Sequence, residues 1–411
     1  MGSEMCIRDS LSWSDKDKVM ALFGDQNNEP LKLYQHQHEA LRLLEKSTIE
    51  PFCLLLASGM ASGKTEVAIL HLLKLLKEKR LEPGGHVVVV YPTRELLNEQ
   101  YIRWKFYFDG AYDLGYLSSK VEVVKLYGEL AKTKPFIYQS EKEKIEKWPS
   151  IVLTTAATFS DPRWINRLDK ELTVIPSLII FDEIHFYSAF DLTLLLEGLR
   201  FVFESYSKPP IYDRPLKVLM FSATMGGLDE FTRNLKNYLG IEVRSVKGEP
   251  VRGKGFAYIV NLSNEDERFQ ESCIKEILED YKRRFSKDKT LVFAKNRREA
   301  ELVYEKFLGW KIAALHIGDM EERERKQAIR HFRKGERKFM ITVKTLEVGL
   351  DIGDVSRIIH LGLPPTLNDF MQREGRIGRR GQEFESIIVV RDSGEAKKIV
   401  EWFRGVGYEP T

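Results

Sequence analysis

The sequence predicts an α/β protein with two parallel sheets, each flanked by helices. Three observations lead there. Short β-branched runs alternate with longer segments whose apolar residues recur at helical spacing. The runs fall into two successive series, separated by the Gly-, Pro- and charge-rich stretch GEPVRGKG at 248–255. The chain has 411 residues, more than one ordinary domain, and its 43% hydrophobic and 30% charged composition supports real cores.

The first series of strands is FCLLLA (52–57), HVVVVYP (86–92), SIVLTT (150–155), SLIIFD (177–182) and KVLMFSAT (217–224). The second is KTLVFA (289–294), KIAALH (311–316), KFMITV (338–343), SRIIHLG (356–362) and ESIIVV (385–390). Helical segments such as GKTEVAILHLLKLLKEK and RREAELVYEKF lie between them. This pattern predicts a leader and extension over 1–30, a first domain over 31–247, a linker over 248–256 and a second domain over 257–411. The opening MGSEMCIRDS matches no targeting pattern and reads as an irregular leader.

Bulk properties narrow the class. Net charge is +3, from 64 Lys+Arg against 61 Asp+Glu, so charge alone points neither toward nucleic acid nor away from it. Cys6, Cys53 and Cys273 are far apart, which supports neither a disulfide framework nor a cysteine-ligated metal site. No apolar run reaches bilayer-spanning length. A cytoplasmic protein without a membrane partner is expected.

The strongest local signal is SGMASGKT, Ser58 to Thr65, set between an apolar strand and a helix. A phosphate-binding loop requires that order. Gly63 lets the backbone approach the phosphates, and the first N–H groups of the helix face the anion. Lys64 is expected to reach the β and γ phosphates, and the Thr65 hydroxyl to ligate Mg²⁺, so ATP and Mg²⁺ are the expected cofactors. Ser58 stands where the strict pattern has Gly.

The second signal is SLIIFDEIH, a buried strand ending in Asp182 and Glu183. Ligands of open α/β sheets sit at that carboxyl edge. Asp182 suits Mg²⁺ coordination, and Glu183 suits orienting or deprotonating the attacking water. The same residues also suit the N-terminus of a helix.

Further elements follow in a fixed order: LYQHQHEAL (33–41), VVVVYPTRELLNEQ, FSATM (221–225), TLEVGLDIGDV (345–355) and FMQREGRIGRRG (370–381). Together with the loop and the carboxylates they resemble a superfamily 2 helicase of the DExH type, over about residues 31 to 390. The resemblance implies two tandem RecA-like domains with the ATP site in the cleft between them. It assigns Gln37 to adenine, Thr93, Arg94, Thr154 and Thr155 to the nucleic-acid backbone, and Ser222 and Thr224 to coupling. It places Gly349 and Asp351 near the ribose and the domain interface, and matches Gln372, Arg376 and Arg379 to the QRxGRxGR motif, whose arginines look toward the γ phosphate. Arginines delivered to a developing phosphoryl charge raise the rate by about 10³ to 10⁵.

Simpler readings stay open beside these. Thr93 and Arg94 also fit a helix cap, and RRG clusters also fit solvated basic surface. His185 fits a satisfied histidine beside a turn as well as a link to the SAT element. Phe186 and Tyr187 fit packing better than base stacking.

Only 21 residues separate Asp351 from Gln372, 32 follow Arg379, and no His-Asp dipeptide occurs. By resemblance these features suit the CRISPR-associated type I helicase in its split form. Its partners would be a separate HD nuclease and a CRISPR effector complex. Lhr-like and YprA-like DNA helicases are the second choice. The expected substrate is single-stranded and duplex nucleic acid, DNA ahead of RNA. An RNA helicase or remodeller, or a nucleotide-switched clamp, is the alternative.

Overall fold

The computed structural model describes residues 33–46, 51–59, 62–81, 85–128, 139–140, 143–144, 149–161, 175–206, 216–223, 227–248, 254–285, 288–309, 311–318, 320–343, 355–378 and 382–405. The chain divides into two compact units, Met1–Pro250 and Val251–Thr411.

The first unit holds a seven-stranded sheet in the order β3-β4-β2-β5-β6-β1-β7. Its strands are β1 (Phe52–Ala57), β2 (Gly85–Tyr91), β3 (Glu122–Lys125), β4 (Ser150–Thr155), β5 (Ile175–Phe181), β6 (Lys217–Ser222) and β7 (Glu242–Lys247). Every pairing is parallel. β1 is buried at all six positions because it lies between β6 and β7 and is covered on both faces. Cys53, Leu55 and Ala57 join one core with Leu195 and Leu199 of α5 (Ala189–Tyr206) and Leu235 and Leu239 of α6 (Leu228–Leu239). Helices α1 (Gln35–Lys46) and α2 (Lys64–Lys77) pack together, and α1 also lies against β1 and β7. A side chain fully buried here contributes about 1.5–3 kcal/mol.

Helix α3 (Arg94–Asp113) follows β2, and the single turn α4 (Ala156–Phe159) follows β4. Trp104 of α3 is fully buried and donates its indole N–H to the Tyr91 hydroxyl at 2.8 Å. That bond satisfies the polar handle of a buried indole and pins α3 to the end of β2.

The second unit holds a six-stranded parallel sheet in the order β10-β11-β9-β12-β13-β8. Its strands are β8 (Gly255–Asn261), β9 (Thr290–Phe293), β10 (Ala313–His316), β11 (Phe339–Thr342), β12 (Arg357–His360) and β13 (Phe384–Val390). Its helices are α7 (Glu267–Arg284), α8 (Arg297–Leu302), α9 (Glu322–Arg333), α10 (Leu367–Glu374) and α11 (Ser393–Gly405). The segment RREAELVYEKF is α-helical only to Leu302 and continues as a π turn over Val303–Leu308.

Three strands fall outside the two sequence-derived series: β3, β7 and β8. All three are sheet edges. In EVRSVK of β7, Val243 and Val246 are buried while Arg244 and Lys247 are exposed, so no apolar run announces the strand. Such a strand forms because a neighbour offers it a ladder. Gly255 and Phe256, read in sequence as linker, are the first residues of β8.

Among the described residues no helix is long and apolar enough to cross a membrane.

Candidate nucleotide site

The loop after β1 begins at Ser58, whose N–H donates to the Ser222 carbonyl at 3.2 Å, tying the end of β1 to the end of β6. Met60 and Ala61 lie outside the described residues. Gly63 closes the loop as the N-cap of α2 with φ 76°, a left-handed backbone that glycine tolerates best. A Cβ on Gly63 would overlap the Gln37 amide.

Four side chains hold this loop. Gln37 Nε2 donates to the Gly63 carbonyl at 2.8 Å, while its Oε1 accepts from the Tyr34 N–H at 2.9 Å. The residue assigned by resemblance to adenine is therefore anchored to the loop through one end of its amide and to its own helix start through the other. His36 Nε2 donates to the Ser62 carbonyl at 2.9 Å, which puts the ring proton on Nε2. Burial lowers the His36 pKa and keeps the ring neutral. The Ser58 and Ser62 hydroxyls hydrogen-bond across the loop, so the serine that departs from the strict pattern has a loop-closing partner. Nothing in the spacing of LYQHQHEAL distinguishes His36 as a support of the loop, because that depends on which face of α1 meets it.

Lys64 is buried and donates to the Ser58 and Gly59 carbonyls at 3.0 and 3.1 Å, folded onto the loop it belongs to. Thr65 follows it, also buried, in the first turn of α2. Glu66 pairs with Arg103 of α3.

Asp182 lies just beyond β5, and its N–H still donates to the Val90 carbonyl at 3.0 Å. Its carboxylate is buried, and its pKa is pushed up to about 7, chiefly by burial and next by the neighbouring Glu183. Lys64 and Arg103 pull the other way. Arg103, from the middle of α3, is a site residue that no motif in the sequence marks. Glu183 occupies the left-handed region at φ 51° and ψ 49°, an arrangement that costs a non-glycine residue about 1–2 kcal/mol. It caps the 3-10 turn Ile184–Phe186 and donates its N–H to Asp182 Oδ1 at 3.0 Å. The turn aims two consecutive carboxylates without continuing the strand or starting a regular helix.

His185 Nδ1 accepts the Ala223 N–H at 3.1 Å, connecting the DEIH turn to the SAT segment after β6. A backbone N–H only donates, so Nδ1 carries no proton. Burial lowers the His185 pKa in the same sense, ahead of the raising effect of Glu183. Glu183 Oε2 approaches Nδ1 at 3.4 Å, which in the neutral ring is proximity without an ion pair. Among the described residues, the buried Thr154 Oγ1, Glu183 Oε2, His185 Nε2 and Ser222 Oγ have no hydrogen-bond partner. All four belong to the carboxyl ends of β4, β5 and β6 or to the turn just after them. Buried polar atoms rarely stay unpaired, so this edge has unused hydrogen-bonding capacity.

An Mg²⁺ ion suits this donor set. Hard oxygen ligands from a hydroxyl and a buried carboxylate match its preference, and its charge would offset the burial and the Glu183 repulsion that raise Asp182.

Other sequence-assigned residues are placed as follows. Thr93 caps α3, its hydroxyl accepting the Leu96 N–H at 3.2 Å, and Arg94 is exposed at the first position of that helix. Thr154 is fully buried, so of the TT pair only Thr155 offers surface. Tyr187 packs on the sheet core and Phe186 lies against His185, ring centroids 4.3 Å apart. Thr224, Gly349, Asp351 and Arg379 lie outside the described residues.

In the second unit Gln372 lies on α10 and Arg376 just after it, half-buried and buried respectively. The helix is held from beneath by a polar group invisible in sequence. Glu374 Oε1 receives the Ser386 hydroxyl at 2.7 Å and His360 Nε2 at 2.9 Å. His360 lies between Phe293 and Phe370, with ring centroids 5.6 and 5.2 Å away. Arg373 is buried over the Phe293 ring at 4.5 Å, and burial lowers its pKa to about 10. Of QRxGR, then, Arg373 and Glu374 turn inward and fasten the helix.

Comparison with known proteins agrees with this architecture. Residues 34–231 match the DEAD/DEAH box helicase family, and residues 270–381 match the helicase conserved C-terminal domain. An uncharacterized ATP-dependent helicase of Methanocaldococcus jannaschii is 26% identical over 88% of this chain and 50% of its own length. The ATP-dependent helicase Lhr-Core of the same organism is 26% identical over 82% of this chain and 40% of its own. The ATP-dependent RNA helicase DBP3 of Lodderomyces elongisporus is 30% identical over 72% and 51%. The chain thus spans about half the length of these relatives. Among solved structures, the DUF1998 helicase MrfA bound to DNA and AMPPNP superposes with a TM-score of 0.76 at 22% identity, covering 99% of this chain and 54% of that one. Two parallel-sheet units in RecA-like tandem, with both helicase domains matched in order, make the chain a member of the superfamily 2 helicases.

Proposed function

We propose that the chain is an ATP-driven motor that moves on single-stranded DNA and separates duplex. The observation that carries the chemistry is the pair Asp182 and Glu183 at the carboxyl edge of a parallel sheet, Glu183 held in a left-handed backbone and Asp182 within electrostatic reach of Lys64. Lys64 would exchange the Ser58 and Gly59 carbonyls for the β and γ phosphates, and the N–H groups at the start of α2 would face the same anion. Thr65 and Asp182 would hold Mg²⁺, which supplies charge neutralisation to the phosphates. Glu183 would orient the attacking water and take its proton, and Arg376 and Arg379 would supply positive charge to the γ phosphate. The His185–Ala223 bond supports coupling between the DEIH turn and the SAT segment. Thr93, Arg94 and Thr155 would meet the sugar–phosphate backbone, and Gly349 and Asp351 the ribose.

DNA is favoured by the wording of TLEVGLDIGDV and by the likeness to MrfA, whose structure is bound to DNA; the likeness to the RNA helicase DBP3 supports RNA as the second reading. The motor subunit of a split CRISPR type I system, with its separate HD nuclease, is a narrower form of the DNA reading. The deciding experiment measures ATP turnover with single-stranded DNA and with RNA of equal length. Stimulation by DNA is expected, and stimulation by RNA alone would replace the DNA reading.

A further inference from the structure

Edge strands leave a row of unpaired N–H and C=O groups, and proteins blunt them with charge, proline or brevity. Three of the four edges here are blunted. β3 (EVVK) and β7 (EVRSVK) carry charges, and β10 (AALH) has four residues. β8, GFAYIVN, has seven residues with no charge and no proline. It also exposes large apolar side chains: Phe256 is 69% exposed, Tyr258 48% and Ile259 48%. Phe256 and Tyr258 stack on each other along one face, ring centroids 6.3 Å apart.

The hydrogen bonds to β13 fix which backbone groups remain open. The Leu262 N–H donates to the Val390 carbonyl, and the Phe384 N–H donates to the Lys254 carbonyl. Even-numbered residues of β8 therefore turn their backbone polar groups toward β13. The alternation of a strand leaves those of Gly255, Ala257, Ile259 and Asn261 pointing outward. We propose that β8 pairs antiparallel with β8 of a second copy of this chain, about a two-fold axis through Tyr258.

That register satisfies three conditions at once. Ala257 falls opposite Ile259 of the other copy and Gly255 opposite Asn261, so every outward-facing residue meets another and both N–H···O bonds of each pair form. Tyr258 meets its own copy as a non-hydrogen-bonded pair, where side chains come closest. Away from the axis Phe256 meets Val260 and Ile259 meets Ala257, and no two like charges are opposed, since Lys254 meets Leu262. A nucleic-acid strand stacking on Phe256 and Tyr258 is less favoured. β8 itself has no basic residue to meet phosphates. The contact is short, so self-association is expected to depend on concentration.

The test is register-specific cross-linking of the full chain carrying Cys6→Ser and Cys273→Ser. Adding Tyr258→Cys places two sulfurs on the axis with Cα atoms about 4.5 Å apart, within disulfide range, and mild oxidation should yield a covalent dimer. Phe256→Cys puts the two cysteines about 13 Å apart along the strands and should yield little. Sedimentation equilibrium of the unaltered chain should show a dimer, and Tyr258→Lys should raise its dissociation constant by about tenfold or more. Three results would overturn the proposal: a monomer at every concentration, equal cross-linking at 256 and 258, or Tyr258→Ser losing oligonucleotide affinity with unchanged sedimentation.

Discussion

The two units hold the buried polar groups of their motifs differently, although each leaves some atoms unpaired. Around α10 of the second unit, Glu374 collects hydrogen bonds from His360 and Ser386 inside an aromatic shell. At the carboxyl edge of the first sheet, Thr154, Glu183, His185 and Ser222 keep unpaired buried atoms, and Glu183 holds a left-handed backbone. The first arrangement stabilises a helix. The second departs from the stable solution and has capacity that a phosphate, a metal ion or water can fill. The second unit also keeps unpaired buried atoms, His360 Nδ1 and Arg373 Nε among them, so what sets the first unit's motif apart among the described residues is the left-handed backbone of Glu183.

Substitutions can break or sharpen that contrast. The largest effect is expected from Lys64→Ala, which removes the cation from the loop: ATP hydrolysis should fall by about 10³-fold or more, with nucleotide binding lost in calorimetry. Glu183→Gln should slow turnover by about 10²–10³-fold while nucleotide still binds, and unaltered turnover would remove Glu183 from its role. Glu374→Ala should lower stability by about 3 kcal/mol, read as a reduced denaturation midpoint, because His360 and Ser386 lose their shared acceptor. Native stability in that variant would show that the inward face of α10 is not what secures it.

The smallest pair addresses the contrast directly. Ser386→Ala deletes a satisfied donor and should cost about 1 kcal/mol, whereas Thr154→Val deletes a hydroxyl without a partner and should be neutral or stabilising by about 1 kcal/mol in nucleotide-free protein. Chemical denaturation of both variants measures the difference. Equal losses would mean that Thr154 is satisfied in solution and that the two units do not differ at these positions.

Central strands were legible in sequence because burial on both faces forces continuous apolar runs, as in FCLLLA and HVVVVYP. Three of the four edge strands were not: in β7 one open side lets EVRSVK alternate charge with valine, and nothing local separates that from a loop, whereas the edge strand β10 still showed its apolar run. The loop SGMASGKT and the DEIH turn were legible for a different reason: phosphate chemistry demands particular residue types at fixed spacing, whatever surrounds them.

By itself, then, the sequence determined the two α/β series, the phosphate loop, the carboxylate pair and the order of the helicase motifs, all of which depend on neighbours along the chain. Only the tertiary structure decided what those residues lean on. It showed Gln37 and His36 bracing the loop, Arg103 offsetting Asp182, His185 reaching Ala223, Thr154 buried beside a half-buried Thr155, and Glu374 fastening α10. It also left β8 with an open apolar edge. These contacts join residues distant in sequence, and local spacing carries no information about which of them a fold will bring together.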